Sequence, residues 1–295
     1  MTAVAPTGAD RIARAFALAK ARGACALMPF ITAGFPDLAT TERLLRDLPD
    51  AGADLIELGF PFSDPIADGP VIAESMHQAL LGGTTPEAVF AMVKRANPVV
   101  PVLAMVSVSI VGRMGAGPFL RACIDSGVSG VIVPDAGPEF WETVRAEVGG
   151  LVDSLGVVEL VAPTTPRPRL EQIVRRANGF VYLLARAGIT GERQDAPEVA
   201  DRVAAIRSSA PARVAVGFGI STAAHVEAVG RHADGAIIGR AIVRRMGDAA
   251  QQGESAAEAA LALVRSLRCA GAGQLRSSTP MSTRGMGQSS TMIGA

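Results

Sequence analysis

Short apolar runs alternate with longer amphipathic stretches along almost the whole chain, and this alternation constrains the fold more than any other feature. The runs Cys25–Thr32, Leu55–Leu58, Val102–Val108, Gly130–Val133, Val157–Val161, Val181–Leu184, Val214–Val216 and Ala236–Ile238 are mostly aliphatic and bounded by Gly, Pro or Asp. Strands buried on both faces of a parallel sheet read this way. Between them lie helical patterns such as Thr40–Asp50, Pro86–Ala96, Pro118–Ser126, Pro168–Ala177, Pro197–Ser208 and Thr222–Val229. Several open on Pro or Thr, which a first helical turn tolerates or favours. With a closing helix at Ser255–Arg268, the pattern predicts an α/β fold, a (β/α)8 or TIM barrel. The competing architecture, an open doubly wound sheet, calls for a glycine fingerprint after the first strand. Ala33-Gly34-Phe35-Pro36 is not GxGxxG.

A barrel commonly takes roughly 200–250 residues as one unit, so a chain of 295 residues does not require two domains. Residues 1–8 are expected to be frayed, followed by an extra N-terminal helix and a barrel over residues 9–268. From Cys269 to Ala295 there is no Asp or Glu, only two Arg, and many Gly, Ser and Thr; a disordered tail is expected there. The apolar patch Ala15–Ala19 sits inside an Arg-bearing amphipathic pattern, which reads as a helix rather than a signal peptide. No apolar stretch reaches the roughly 18 residues of a membrane span. Twenty-eight basic residues balance 28 acidic ones, so bulk charge gives no reason to bind nucleic acid or anionic lipid. Cys25, Cys123 and Cys269 lie far apart, and His77, His225 and His232 share no ligand spacing with them. Neither a disulfide framework nor a metal site is expected, and the cytoplasm is the default compartment.

In a barrel the chemistry sits at the C-terminal ends of strands and in the loops that follow. The second strand ends Leu55-Ile56-Glu57-Leu58-Gly59, and Glu57 has the parity opposite to Ile56 and Leu58. Pointing inward, it is a carboxyl in an aliphatic core with a raised pKa, suited to proton transfer near neutral pH; the plainer alternative is a buried Glu paired with an Arg. The next loop, Phe60 to Pro70, carries Asp64 and Asp68 among prolines. Either could instead serve locally, Asp68 as a helix N-cap and Asp64 in an Asx-turn. Gly191 lies in the sixth loop, Gly217 and Gly219 follow the seventh strand, and Gly239-Arg240 follows the eighth. Glycines at helix N-termini there form a phosphate cradle from backbone N–H groups and the helix dipole, unless they merely make tight turns. The residues thus point to a barrel enzyme acting on a phosphorylated small molecule through carboxyl groups.

The segments Pro29–Pro36, Asp54–Pro70, Gly179–Leu184, Gly188–Gly191 and Val216–Ser221 resemble, in order and spacing, those of the tryptophan synthase alpha chain family. The resemblance covers about residues 9–268, and its Glu57–Pro70 run is the most specific part. It implies reversible cleavage of indole-3-glycerol phosphate to indole and glyceraldehyde 3-phosphate without cofactor or metal. Residue by residue, it makes Glu57 the acid/base group, Asp68 the carboxylate that binds the indole N–H, and Tyr182 the active-site tyrosine. It assigns Gly191, Gly217, Gly219, Gly239 and Arg240 to the phosphate, and Phe30, Thr32 and Val106 to the indole pocket. Asp64, Pro65 and Thr190 fall in the loops that close over substrate and signal to a beta subunit, the expected partner in a two-alpha, two-beta assembly. Three positions depart from the family's pattern. Arg240 stands where a Ser is usual and Ala73 where a Gln is usual, and the third-strand segment Met105–Ser109 lacks the family's Tyr and Asn. These departures leave room for a stand-alone lyase that releases indole for specialised metabolism; a non-catalytic partner of a beta subunit fits the intact Glu57, Asp68 and Tyr182 less well.

Overall fold

The structure, a computed structural model, describes residues 5–65, 68–184, 199–217 and 219–272. Eight strands appear where the apolar runs predict them: β1 (Ala26–Thr32), β2 (Ile56–Gly59), β3 (Val102–Met105), β4 (Gly130–Ile132), β5 (Gly156–Val161), β6 (Val181–Leu184), β7 (Val214–Gly217) and β8 (Gly235–Ile238). Each pairs in parallel with the next and β1 pairs with β8, so the sheet closes into the expected barrel. The described helices are α1 (Gly8–Ala21), α2 (Leu38–Ala51), α3 (Pro70–Leu81), α4 (Pro86–Ala96), α5 (Val108–Met114), α6 (Ala116–Ser126), α7 (Pro138–Val148), α8 (Arg167–Arg176), α9 (Ala200–Ser209), α10 (Ala223–Gly230), α11 (Arg240–Gln251) and α12 (Ala256–Ala272).

Strand alternation sorts the side chains into two sets. Met28, Leu55, Leu103, Ile132, Val158, Phe180, Tyr182, Ala215 and Ile237 point into the barrel, while Ile31, Ile56, Leu58, Ala104 and Val216 face the helical layer. The extra N-terminal helix closes the bottom. Ile12, Ala15, Phe16 and Ala19 of α1 join the interior cluster, and Phe16 packs edge-on against Phe180 with centroids 5.5 Å apart. The strands make room for it with glycines: a Cβ at Gly156 would lie 2.4 Å from the Ile12 Cδ1. Thr7 and Asp10 form a reciprocal capping box that satisfies the first backbone donors of α1; residues 1–4 lie outside the described residues.

The largest departure from expectation lies after β3. The alternation Met105-Val106-Ser107-Val108 reads as strand, but the strand stops at Met105 and α5 begins at Val108. Asp135, in the loop after β4, accepts from the Ser107 hydroxyl at 2.7 Å and the Val108 N–H at 2.9 Å. Ser107 is the N-cap of α5 and accepts from the Ser109 N–H at 3.2 Å, and Asp135, 27 residues along the chain from Val108, reinforces this local cap. At the other end α12 continues to Ala272, past the expected Arg268; residues 273–295 lie outside the described residues. Among the described residues no helix is long and apolar enough to cross a membrane.

Candidate active site

The C-terminal mouth of the barrel holds a cavity whose walls come from several strands. Phe30, Ile72, Met105 and Ile237 form its apolar side, and Glu57, Asp68, Tyr182 and Arg240 supply the polar groups. Glu57 faces inward because it alternates with Ile56 and Leu58 and shares the parity of Leu55. It sits beside Phe30 of β1 and Leu103 of β3 in register. The side chain is fully buried, and neither carboxyl oxygen has a hydrogen-bond partner among the described residues. An ionised carboxylate in that setting would lose its hydration without compensation. Burial therefore pushes Glu57 up from its ordinary 4.5 to about 8, and the nearby charge of Asp68 adds to the effect. The alternative of a structural Glu–Arg pair is not what forms.

Asp68 reaches the same cavity from the segment leading into α3. Its N–H donates to the Pro65 carbonyl at 3.1 Å. It does not cap α3: the N-cap is Gly69, without a side-chain cap bond, and Pro70 opens the first turn. Burial raises Asp68 to about 6, less than Glu57. At pH 7 one carboxyl is mainly protonated and the other mainly ionised, which separates an acid from a base. Asp64 is exposed and accepts from the Ser63 hydroxyl at 2.7 Å; it lies outside the cavity wall, as does Pro65.

Tyr182, the only tyrosine of the chain, points inward from β6 opposite Leu160 of β5 and Ala215 of β7. Burial and the negative charges of Glu57 and Asp68 drive its phenol well above the ordinary tyrosine range, so it stays protonated. Its hydroxyl occupies space that Gly217 leaves open, since a Cβ there would lie 2.2 Å from the phenolic oxygen. Gly217 is thus a clearance for Tyr182 rather than part of the cavity wall. Gly219 does line the cavity, and its φ of +85° requires glycine. The chain then runs through Ile220 and Ser221, also in the wall, to Thr222, which caps α10. The Ser221 N–H is directed to Nδ1 of His225 at 3.4 Å. After the neighbouring strand β8, Gly239 is the N-cap of α11, and Arg240 and Ala241 begin its first turn at the cavity edge. The unpaired N–H groups of a helix start favour an anion at this place. Thr190 and Gly191, with the rest of the sixth loop, lie outside the described residues.

A model of the tryptophan synthase alpha chain family matches residues 16–271. The chain belongs to that family. It is 42% identical over 261 residues to the tryptophan synthase alpha chain of Caulobacter sp. (strain K31), covering 85% of this chain and 92% of that one. The Arabidopsis thaliana alpha chain is 38% identical over 247 residues, with 82% and 89% covered. Among solved structures, the alpha subunit of Legionella pneumophila superposes with a TM-score of 0.79 at 31% identity, covering 88% of this chain and 98% of that one. Tryptophan synthase of Mycobacterium tuberculosis gives 0.77 at 28% identity, with 88% and 97% covered.

In this alpha chain two residues expected in the indole pocket do not line the cavity. Val106 is buried in the helix-facing core, and Met105, one residue earlier, lines the cavity instead. The parity of Met105 with inward Leu103 was the available signal. Thr32 is buried against Ser75 of α3, their hydroxyl oxygens 2.7 Å apart. Ile72 and Ile237 complete the wall but carry no motif that marks them in the sequence; only the closing of the barrel brings them beside Phe30.

Proposed function

We propose that this alpha chain is a carbon–carbon lyase of tryptophan biosynthesis, cleaving indole-3-glycerol phosphate reversibly to indole and glyceraldehyde 3-phosphate. One observation supports it above the others: a wholly buried carboxyl raised to about 8 shares a cavity with a second carboxyl at about 6. Protonated Glu57 gives its proton to C3 of the indole, and the ring becomes an iminium-like cation. Ionised Asp68 accepts a hydrogen bond from the indole N–H and stabilises that charge. Glu57, now ionised, takes the proton from the hydroxyl on the carbon attached to the ring. The bond between that carbon and the ring breaks, its electron pair returns to the ring, and the hydroxyl carbon becomes the aldehyde. Glu57 ends the cycle protonated, and neither cofactor nor metal takes part in these steps.

The apolar wall of Phe30, Ile72, Met105 and Ile237 suits the indole ring. The phosphate is assigned to Gly219 and the Gly239–Ala241 helix start, with the Arg240 guanidinium as a charged donor. Tyr182 supplies a protonated hydroxyl beside the two carboxyls. Asp64, Pro65, Thr190 and Gly191 are assigned to loops that close over substrate and report to a beta subunit, the partner in a two-alpha, two-beta assembly. The compartment proposed is the cytoplasm. A steady-state indole assay tests the reading. The purified chain is expected to release indole from indole-3-glycerol phosphate, and faster when a beta subunit is added. No release under either condition would overturn it.

A further inference from the structure

The start of α3 carries both Asp68, two residues before it, and Ile72 in its first turn, yet it lacks the usual local anchor. Gly69 offers no capping side chain and Pro70 only presets the backbone of the first turn, so tertiary contacts add the fixing that a side-chain cap would give. Two buried hydroxyls provide one such contact. The Ser75 hydroxyl donates to the Ile72 carbonyl at 2.7 Å. With its single proton so placed, its oxygen accepts from the Thr32 hydroxyl, 2.7 Å away. Thr32 is fully buried at the end of β1 and Ser75 is 1% exposed. The relay therefore runs from β1 through Ser75 to the carbonyl of a residue that lines the cavity.

We propose that Thr32 and Ser75 are positioning residues, a hydroxyl relay that seats the first turn of α3 on β1 and so holds Asp68 and Ile72 in the reaction cavity. The inference builds on the proposed lyase reading but depends on a geometric link of its own. Ser75→Ala leaves the buried Thr32 hydroxyl without its acceptor, Thr32→Val removes the bond that ties Ser75 to β1, and in both the first turn of α3 relaxes away from β1. Asp68 then gains water. The other titratable groups in the cavity wall, Glu57 from β2, Tyr182 from β6 and Arg240 from α11, are unchanged in such variants, so the titration of Asp68 reports its own hydration.

The test compares Ser75→Ala, Thr32→Val and the conservative Thr32→Ser with the parent protein. Asp68 is followed by carbon-13 NMR titration of labelled aspartates, assigned with Asp68→Asn, alongside indole release and thermal unfolding. In Ser75→Ala and Thr32→Val, Asp68 is expected to titrate about one pH unit lower, as partial rehydration brings it back toward an ordinary carboxyl. Turnover is expected to fall about tenfold while KM changes less than about twofold, because the relay's hydrogen bonds end at Ile72 on α3 rather than at Gly219 or Gly239, and misplacement of Asp68 acts on the chemistry. Thr32→Ser keeps the hydroxyl and is expected to behave as the parent. The double variant should be little worse than Ser75→Ala alone, since both changes cut one relay. An unmoved Asp68 titration in both Ser75→Ala and Thr32→Val, even with lowered thermal stability, would overturn the proposal. So would a Thr32→Ser protein as impaired as Thr32→Val. If the parent released no indole, the lyase reading would fail while the Asp68 titration still decided the relay.

Discussion

Glu57→Gln should disable the enzyme and stabilise the fold, by an amount that depends on pH. The folded carboxyl titrates at about 8 against an ordinary 4.5. The folded state therefore holds a proton that the unfolded chain gives up above about 4.5. For such a group the stabilising contribution is complete below the unfolded value and is lost as pH rises toward the folded one. At about 1.4 kcal/mol per pH unit, the loss between pH 5 and pH 8 is on the order of 3 kcal/mol. A glutamine has nearly the same shape, keeps a neutral polar head in the same place, and exchanges no proton. The two proteins should thus have similar unfolding free energies at pH 5, with the variant more stable by about 3 kcal/mol at pH 8. Asp68 remains in both proteins, so its own titration largely cancels in the difference. Urea unfolding at the two pH values measures the effect, and an indole assay on the same samples should show a loss of about 10²–10⁴-fold or more. A stability difference that did not change with pH would mean that Glu57 is not held protonated, and the acid role assigned to it would go.

Three further outcomes follow from the same geometry. The pH profile of kcat/KM should be bell-shaped, with limbs near 6 and 8, because the reaction wants Asp68 ionised and Glu57 protonated in the free enzyme; a plateau from pH 4 to pH 10 would contradict the pairing. These are apparent values of a coupled pair. Arg240→Ser should weaken binding of glycerol phosphate about ten- to hundredfold, the magnitude of a lost charge-assisted hydrogen bond, as read by calorimetry; unchanged affinity would mean that the backbone holds the phosphate alone. Gly217→Ala puts a methyl group 2.2 Å from the Tyr182 oxygen. Displacing a ring packed inside the barrel should cost about 1–3 kcal/mol of stability and lower turnover more than it raises KM; a variant with parent-like stability and turnover would show that Tyr182 is not confined there.

Much of this molecule is legible without its tertiary structure. Apolar runs of strand length, punctuated by Gly, Pro and Asp, specify the eight parallel strands, since a strand buried on both faces has few other compositions open to it. Parity within Leu55–Gly59 sets Glu57 on the face opposite to Ile56 and Leu58, because side chains alternate along a strand whatever surrounds it, and the closed barrel makes that face the inner one. The end of β3 was not legible, because Met105–Val108 alternates like a strand while Ser107 caps a helix there, reinforced by Asp135 from the next loop. Nor was the role of Gly217, whose missing side chain matters only because Tyr182, 35 positions earlier, points at it from the adjacent strand.

The sequence by itself determined the barrel, the face that carries the chemistry, and the residue types available there. Those follow from local periodicity and from the order of strands and loops. Tertiary structure decided which charge state each carboxyl holds and what each neighbour does. Phe30, Met105, Ile72 and Tyr182 converge on Glu57 only when the sheet closes, and removal of water by all of them together keeps that carboxyl protonated. Desolvation and buried hydroxyl pairs such as Thr32 and Ser75 act through space, over distances that the order of residues along the chain does not encode locally.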